Sequence, residues 1–501
     1  MTLVRLGRTD VSDPIYLDYA ATTPVDPTVA ASMAACLTTA GDFGNASSAT
    51  HVFGHRAAAR IDTARAQVAT LLGAESDEII FTSGATESNN LAILGTARAN
   101  VDRGRHIITA RVEHKAVLDP CKRLEREGFA VTYLTPDRQG RVDAQVIRAA
   151  LRPETVLVSI MFVNNEIGVI QDVGAIGALC RSRGVAFHTD AAQAVGKIPI
   201  DLRELPVDFL SFTAHKLYGP KGVGALYIRR SSRPLLQPLL FGGGQERGLR
   251  PGTLPTHQVV GLGAACELAT RKVASDQERL TALRERFWAG LCGLGGVHLN
   301  GEGAPRVPGI LSVSFEGVEG ESLVTSLKGL AVSTGSACNS ASAEPSYVLR
   351  ALGRGTQLAQ SSLRFSLGRF TTVEDVDVAF EVVKREVTRL RELSPASEKP
   401  GKPTLAKEEE ITGEAGGPDQ DTWVRFHLTL EAGSVKAARF KAYGCPHTLT
   451  VMEWLVGQLP GRTRDQGVPG DPTGWAQQLS IPVEKLGRLL VIEDALRACL
   501  R

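Results

Sequence analysis

Three short stretches carry side chains that could act together. Ser83-Gly84-Ala85-Thr86-Glu87 follows the β-branched run EIIFT (78–82) and opens a helical pattern. A helix N-terminus offers free amides and a partial positive charge, which suits a phosphate; ordinary capping by Ser83 or Thr86 is the plainer reading of the same residues. His188-Thr189-Asp190-Ala191-Ala192-Gln193 ends a second apolar run, where Asp190 could pair with a protonated heterocyclic nitrogen or be a satisfied loop carboxylate. Thr213–Gly222 (TAHKLYGPKG) ends a third. A lysine leaving a buried strand is costly to keep charged. Desolvation of Lys216 would therefore free a neutral amine for a Schiff base; a surface lysine in a turn is the alternative. A lysine for an aldehyde, an acid for a pyridinium nitrogen and a helix start for a phosphate are the parts that pyridoxal phosphate needs. Their order along the chain, with Asp190 26 residues before Lys216, is more specific than any one part.

The elements that must position these residues are legible as short apolar runs. Besides EIIFT they are His106–Ala110, Val131–Thr135, Val156–Val163, Val185–Thr189, Phe209–Thr213 and Gly224–Ile228. Continuous apolar runs suit strands buried on both faces. Between them, Thr86–Asn100 and Lys115–Glu127 carry apolar residues at helical spacing. The alternation predicts an α/β fold with a mostly parallel, doubly wound sheet and ligands at the carboxyl ends of its strands.

The whole chain has 501 residues, which suggests roughly three domains at ~150 residues each. Lys and Arg number 56 against 54 Asp and Glu, so no global field gathers a polyanion. The start, MTLVRLGRTDVSDP, lacks the apolar core of a signal peptide, and no run of 18 apolar residues suggests a membrane span. A cytoplasmic protein with reduced thiols, and with neither nucleic acid nor membrane as partner, is expected. The eight cysteines include no CxxC pair, which argues against a local zinc or redox motif.

From Tyr16 to Phe370 the sequence resembles the cysteine desulfurases of the IscS/NifS type, within the class V aminotransferase group. The resemblance is carried by YLDYAATTPVDP (16–27), GNASSATHVFGHRA (44–57), IIFTSGATESNNLAI (79–93) and VEHKAVLDPC (112–121). It continues through FVNNEIGVIQD (162–172), FHTDAAQAVGK (187–197), FTAHKLYGPKGVGALYIRR (212–230), GGGQERGLRPGTLP (242–255), STGSACNSASAEPSYVLRALG (333–353) and LRFSLGRFT (363–371). It implies the pyridoxal-phosphate transferase fold of the aspartate aminotransferase type, with a large cofactor domain over about 16–260. A smaller α+β domain would run from about 261 to 392 and take in the N-terminal segment.

By the same resemblance Lys216 would form the Schiff base, and His114 would stack on the pyridine ring and help move protons. Asp190 would pair with the ring nitrogen and Gln193 with the ring hydroxyl oxygen. Ala85, Thr86, Thr213 and His215 would hold the phosphate, and Thr253 would reach the phosphate of a second subunit, which implies a homodimer. Asn165 and Arg364 would bind the substrate carboxylate, with Asn45 nearby. The implied reaction takes sulfur from L-cysteine, leaves L-alanine and places a persulfide on Cys338, for an iron–sulfur scaffold or another sulfur-acceptor protein. Cys338 lies in STGSACNSAS (333–342), a run without a large side chain to anchor it, which predicts a mobile loop. A selenocysteine lyase or another class V lyase would not need Cys338; an assembly platform without catalysis would not need Lys216.

Near residue 392 the composition changes, and 393–420, rich in Pro, Gly and charge, reads as a flexible linker. Beyond it, Trp423–Leu430 alternates like a half-buried strand and Lys436–Tyr443 could pair with it. Ala437–Cys445, Val451–Gly457 and 479–500 resemble the iron–sulfur scaffolds of the IscU/NifU type, so 421–501 is expected to be an α+β domain of that kind. That family uses three cysteine ligands. Cys445 matches one; the other two positions fall near Asp419-Gln420-Asp421 and Gly487-Arg488. The resemblance therefore implies a degenerate scaffold that holds no metal. Its Cys445 is either a sulfur relay from Cys338 or a small buried residue.

Overall fold

The computed structural model describes residues 13–334, 345–395 and 409–500. Its centre is a seven-stranded sheet in the order Ile79–Thr82, Gly224–Ile228, Phe209–Thr213, Ala186–Asp190, Thr155–Ser159, His106–Ala110, Ala130–Leu134. All neighbours run parallel except Gly224–Ile228, which is antiparallel to both of its partners. Six of the seven expected runs match their strands to within a residue at each end. The expected run Val156–Val163 is longer than its strand, which ends at Ser159; the Ile160 and Phe162 amides still bond the His188 and Asp190 carbonyls before the chain builds the turn around Asn164. Every residue of Phe209–Thr213, Ala186–Asp190 and Thr155–Ser159 is buried, because helices cover both faces.

The 37-residue helix Thr256–Cys292 leads from this unit to a smaller one. There Ser333–Thr334, Ser362–Ser366, Ile310–Phe315 and Val297–Leu299 form an antiparallel sheet, backed by the helix Val373–Leu393. Ile15–Tyr16 pairs in parallel with Leu330–Ala331, so the N-terminal segment joins the smaller unit before crossing to the cleft.

The tail corrects the expected linker. Residues 409–420 are ordered chain: Glu409–Gly417 is a strand paired along its whole length with Thr422–Glu431, and Pro418–Gln420 is the turn between them. Its inward positions are Ile411, Gly413 and Ala415, and the helix Leu486–Leu500 packs on them. Gly413 is required there, since a Cβ would lie 2.4 Å from the Ala495 carbonyl oxygen and 2.8 Å from Cys499 Sγ. Ser434–Tyr443 completes a three-stranded antiparallel sheet, and the helices Pro446–Gln458 and Pro472–Gln478 finish the unit. Its apolar core runs without a break into that of the smaller unit.

Candidate active site

A cleft of about 640 Å³ opens at the carboxyl ends of the central strands, between the two larger units. Lys216, His114, Asp190, Gln193, Thr86, Ala85, Thr213, His215, Asn165 and Arg364 all line it, so residues up to 279 positions apart meet in one place. The helix Ala85–Ala99 starts at the cleft with Gly84 as its N-cap and no side-chain cap. Capping by Ser83 or Thr86 is thus not what these residues do. The first amides of the helix have no intrahelical acceptor. Glu87 instead accepts from the Ser83 amide and pairs with Arg250 Nε at 3.0 Å.

The carboxylate of Asp190 is fixed at both oxygens. Oδ1 accepts from the Ala192 amide at 2.9 Å, and Oδ2 from Asn89 Nδ2 at 2.7 Å. Asn89 is one helical turn beyond Thr86, so a single helix offers the phosphate-type site and orients the acid. Gln193 Nε2 donates to the Ala20 carbonyl at 2.7 Å, and its Oε1 accepts from Lys197 Nζ at 2.5 Å.

Two imidazoles face the lysine. His114 caps the helix Lys115–Arg126, its Nδ1 accepting from the Ala116 amide at 3.1 Å. Burial, and then the charge of Lys216, lower its pKa, so it is neutral at neutral pH with its proton on Nε2. Burial, followed by Lys216, Lys221 and Lys197, lowers His215 to about 4. Its Nδ1 lies 3.1 Å from Thr22 Oγ1, and Thr23 Oγ1 donates to its carbonyl at 3.0 Å, which ties the N-terminal segment across the lysine loop. Thr213 Oγ1 donates to the Val223 carbonyl at 3.3 Å and must turn to serve a phosphate.

On the opposite wall Arg364 Nη1 donates to the Asn165 carbonyl at 2.7 Å, and Nη2 pairs with Asp18 Oδ1 at 2.8 Å. Its Nε and the Oδ1 of Asn165 are buried without a hydrogen-bond partner. Unsatisfied buried polar atoms are costly, and a ligand with a carboxylate and neighbouring polar groups would satisfy them. The lysine, the fixed acid, the uncapped helix start and the two neutral imidazoles likewise fit pyridoxal phosphate.

Three candidates lie elsewhere. Thr253 is exposed and does not line this chain's cleft. Asn45 is also exposed and away from the cleft, its Oδ1 taken by the Ser47 amide at 2.9 Å. Cys445 is fully buried at the start of the helix Pro446–Gln458, with Thr448 Oγ1 3.6 Å from its Sγ and the guanidinium of Arg488 nearby. Cys338 and the loop expected around it lie outside the described residues. On one side of that segment Ser333 and Thr334 line the cleft. On the other, Ser346 donates to Glu166 Oε2 at 2.5 Å and Tyr347 Oη to the Glu113 carbonyl at 2.7 Å. Burial raises Glu166 to about 7. Among the described residues no group of three or more His, Cys, Asp or Glu side chains is arranged to hold a metal ion. None of their helices is long and apolar enough to cross a membrane.

Sequence reasoning missed Asp18, Asn89, Glu166 and Lys197. Asn89 and Lys197 had a signal, being three and four residues beyond Thr86 and Gln193. Asp18 had none, because its partner Arg364 is 346 residues away.

The chain is similar to known proteins over these same units. The family described as aminotransferase class V matches residues 15–378. Cysteine desulfurase IscS of Pectobacterium atrosepticum is 59% identical over 382 residues, covering 76% of this chain and 95% of that protein. Cysteine desulfurase IscS of Escherichia coli is 58% identical over the same length. Among solved structures, a NifS-like protein superposes with a TM-score of 0.70 at 38% identity, over 75% of this chain and all of that one. SspA in complex with cysteine gives 0.64 at 40% identity, over 71% of this chain and 99% of that one. The family match ends well before the tail sheet begins. With the lysine, the acid and the helix start converging in a cleft that these relatives' sequences span, the chain belongs to the class V aminotransferases and is a cysteine desulfurase of the IscS type.

Proposed function

We propose that the cleft works with pyridoxal phosphate bound through Lys216, and that the sulfur taken from L-cysteine is received by Cys338. When bound, the cofactor supplies an electron sink for carbanion chemistry. Arg364 and Asn165 take the substrate carboxylate, and the unpartnered Arg364 Nε is the donor left for it. Lys216 moves the α proton. His114, neutral and already accepting at Nδ1, holds a proton at Nε2 and acts as a donor. The Cys338 thiolate attacks the substrate sulfur and the carbon–sulfur bond breaks. The carbon takes up a proton, so that L-cysteine and a thiol become L-alanine and a persulfide. The observation that carries this reading is the convergence of Lys216, His114, Asp190 and Gln193 on one cleft, with Ser333 and Thr334, which lead toward Cys338, in its wall. Alanine and sulfide formation from L-cysteine tests it: Lys216→Ala and Cys338→Ala should each fall at least ~100-fold. Undiminished turnover of Cys338→Ala with physiological reductants would overturn the role of the thiol.

The working unit we propose is a homodimer. Phe241 is 87% exposed and Leu240 55% exposed, on the segment that carries Thr253. That segment is anchored by Glu246, which is buried, paired with Arg65 at 2.6 Å and bonded to the Phe81 amide at 2.7 Å. A rigidly held, exposed aromatic suits a partner surface. Phe241→Asp should shift sedimentation toward monomer.

For the tail we propose a scaffold-like docking unit that serves sulfur delivery in the cytoplasm. The enclosure of Cys445 and the guanidinium of Arg488 beside it support a packing role, and receipt of sulfur at Cys445 would require the tail to open. Attempted cluster reconstitution on the full chain checks this, with no stable iron–sulfur chromophore expected; one that depends on Cys445 would contradict it.

A further inference from the structure

Gln193 and Lys197 sit four residues apart in a turn that is locked from both sides. The Ala194 amide bonds the Ala191 carbonyl, and the Lys197 and Ile198 amides both bond the Ala194 carbonyl. Gly196 lies at φ +74°, where a side chain would be strained and a Cβ would press on Leu217 at 3.2 Å. The turn therefore runs tight beneath the lysine loop, and its i, i+4 geometry brings Lys197 Nζ onto Gln193 Oε1 at 2.5 Å.

A carboxamide can bind in two orientations, related by a flip, that exchange its donor and acceptor. Two contacts select one of them here. Nε2 donates at 2.7 Å to the Ala20 carbonyl, which can only accept, and Oε1 accepts a hydrogen bond from Lys197 Nζ at 2.5 Å. The remaining N–H of Gln193 is then the group it can offer to the cleft, which it lines. The surroundings of Lys197 fit a permanent assignment. Burial, followed by the charges of Lys216 and Arg364, lowers its pKa to about 7, and protonated or neutral its amine still donates.

We infer that Lys197 is a positioning residue, which fixes the amide of Gln193 so that it presents a donor to the ring oxygen of the bound cofactor. The inference rests on the reading that the cleft takes pyridoxal phosphate. Asp190, held by Asn89 and the Ala192 amide, fixes one part of the ring site, and Lys197 through Gln193 fixes another.

The test uses purified holoenzyme and apoenzyme with pyridoxal phosphate as the probe. Lys197→Met removes the donor and keeps most of the volume. Its dissociation constant for pyridoxal phosphate should rise about tenfold, the worth of one hydrogen bond to a charged oxygen. The visible absorption maximum of the bound cofactor should move from the wild-type position. Lys197→Gln, which keeps a donor, should restore the maximum. The double variant Lys197→Met/Gln193→Leu should bind no more weakly than Gln193→Leu, because Lys197 acts through Gln193. If Lys197→Met does not fold, Lys197→Ala takes its place. An unmoved maximum with unchanged affinity, or losses that multiply in the double variant, would overturn the inference. Wild-type protein that neither binds pyridoxal phosphate nor turns yellow would overturn the cofactor reading and the inference together.

Discussion

Asp18 shows how the residues that react depend on residues that do not. It holds Arg364 from the far end of the chain, at 2.8 Å, and leaves Nε as the free donor. Asp18→Asn should raise KM for L-cysteine about tenfold and lower kcat less, since one charge-assisted bond that orients the guanidinium is lost; steady-state kinetics check it. His188 gives a pH prediction. It lies below the cleft between Ser159 Oγ at 2.8 Å and Ser211 Oγ at 3.0 Å, and burial lowers it from 6.5 to about 4. The folded protein keeps it neutral while the unfolded chain protonates it, so its stabilisation is present above about pH 6.5 and is lost as pH falls toward 4. The thermal midpoint of wild type should approach that of His188→Gln across that window, and a constant gap would contradict the assignment. Lys216, Asp190 and Thr86 were legible in the sequence because each follows a recognisable strand. Asp18 and Glu166 were not, because their meaning lies in Arg364 and Ser346, which no local pattern connects to them.

Among elements, strands buried on both faces were readable because their composition has one physical cause, burial without alternation. Glu409–Gly417 departs from the expected linker for the opposite reason. It is an edge strand rich in glycine and glutamate, with only Gly413 fully buried, and its composition is that of a linker. What orders it is the helix Leu486–Leu500 packed on Ile411, Gly413 and Ala415, a partner 70 or more residues away. Gly413→Val should therefore destabilise the tail by about 1–3 kcal/mol through overpacking, read as earlier loss of tail structure in hydrogen exchange. Protection equal to wild type would show that the helix does not lie on the strand.

At the scale of the whole molecule the tail is a third unit joined to the second by a shared core. Ser322 Oγ donates to the Gly444 carbonyl at 2.7 Å, Gln357 Nε2 to Tyr443 Oη at 3.2 Å, and Lys485 pairs with Glu321 at 3.0 Å. The family match covers residues 15–378, and the relatives cover about three quarters of the chain. Chain ending at residue 395 should thus still desulfurate L-cysteine, with a thermal midpoint lower by about 5 °C for each ~2 kcal/mol of lost burial. Loss of activity in that protein would show that the tail completes the site. The most direct measurement of the central claim is peptide mass spectrometry after treatment with L-cysteine. One added sulfur atom is expected on Cys338 in the wild type and none anywhere in Lys216→Ala. Alanine produced in stoichiometric amount with Cys338 unmodified and the sulfur on another cysteine would contradict that claim.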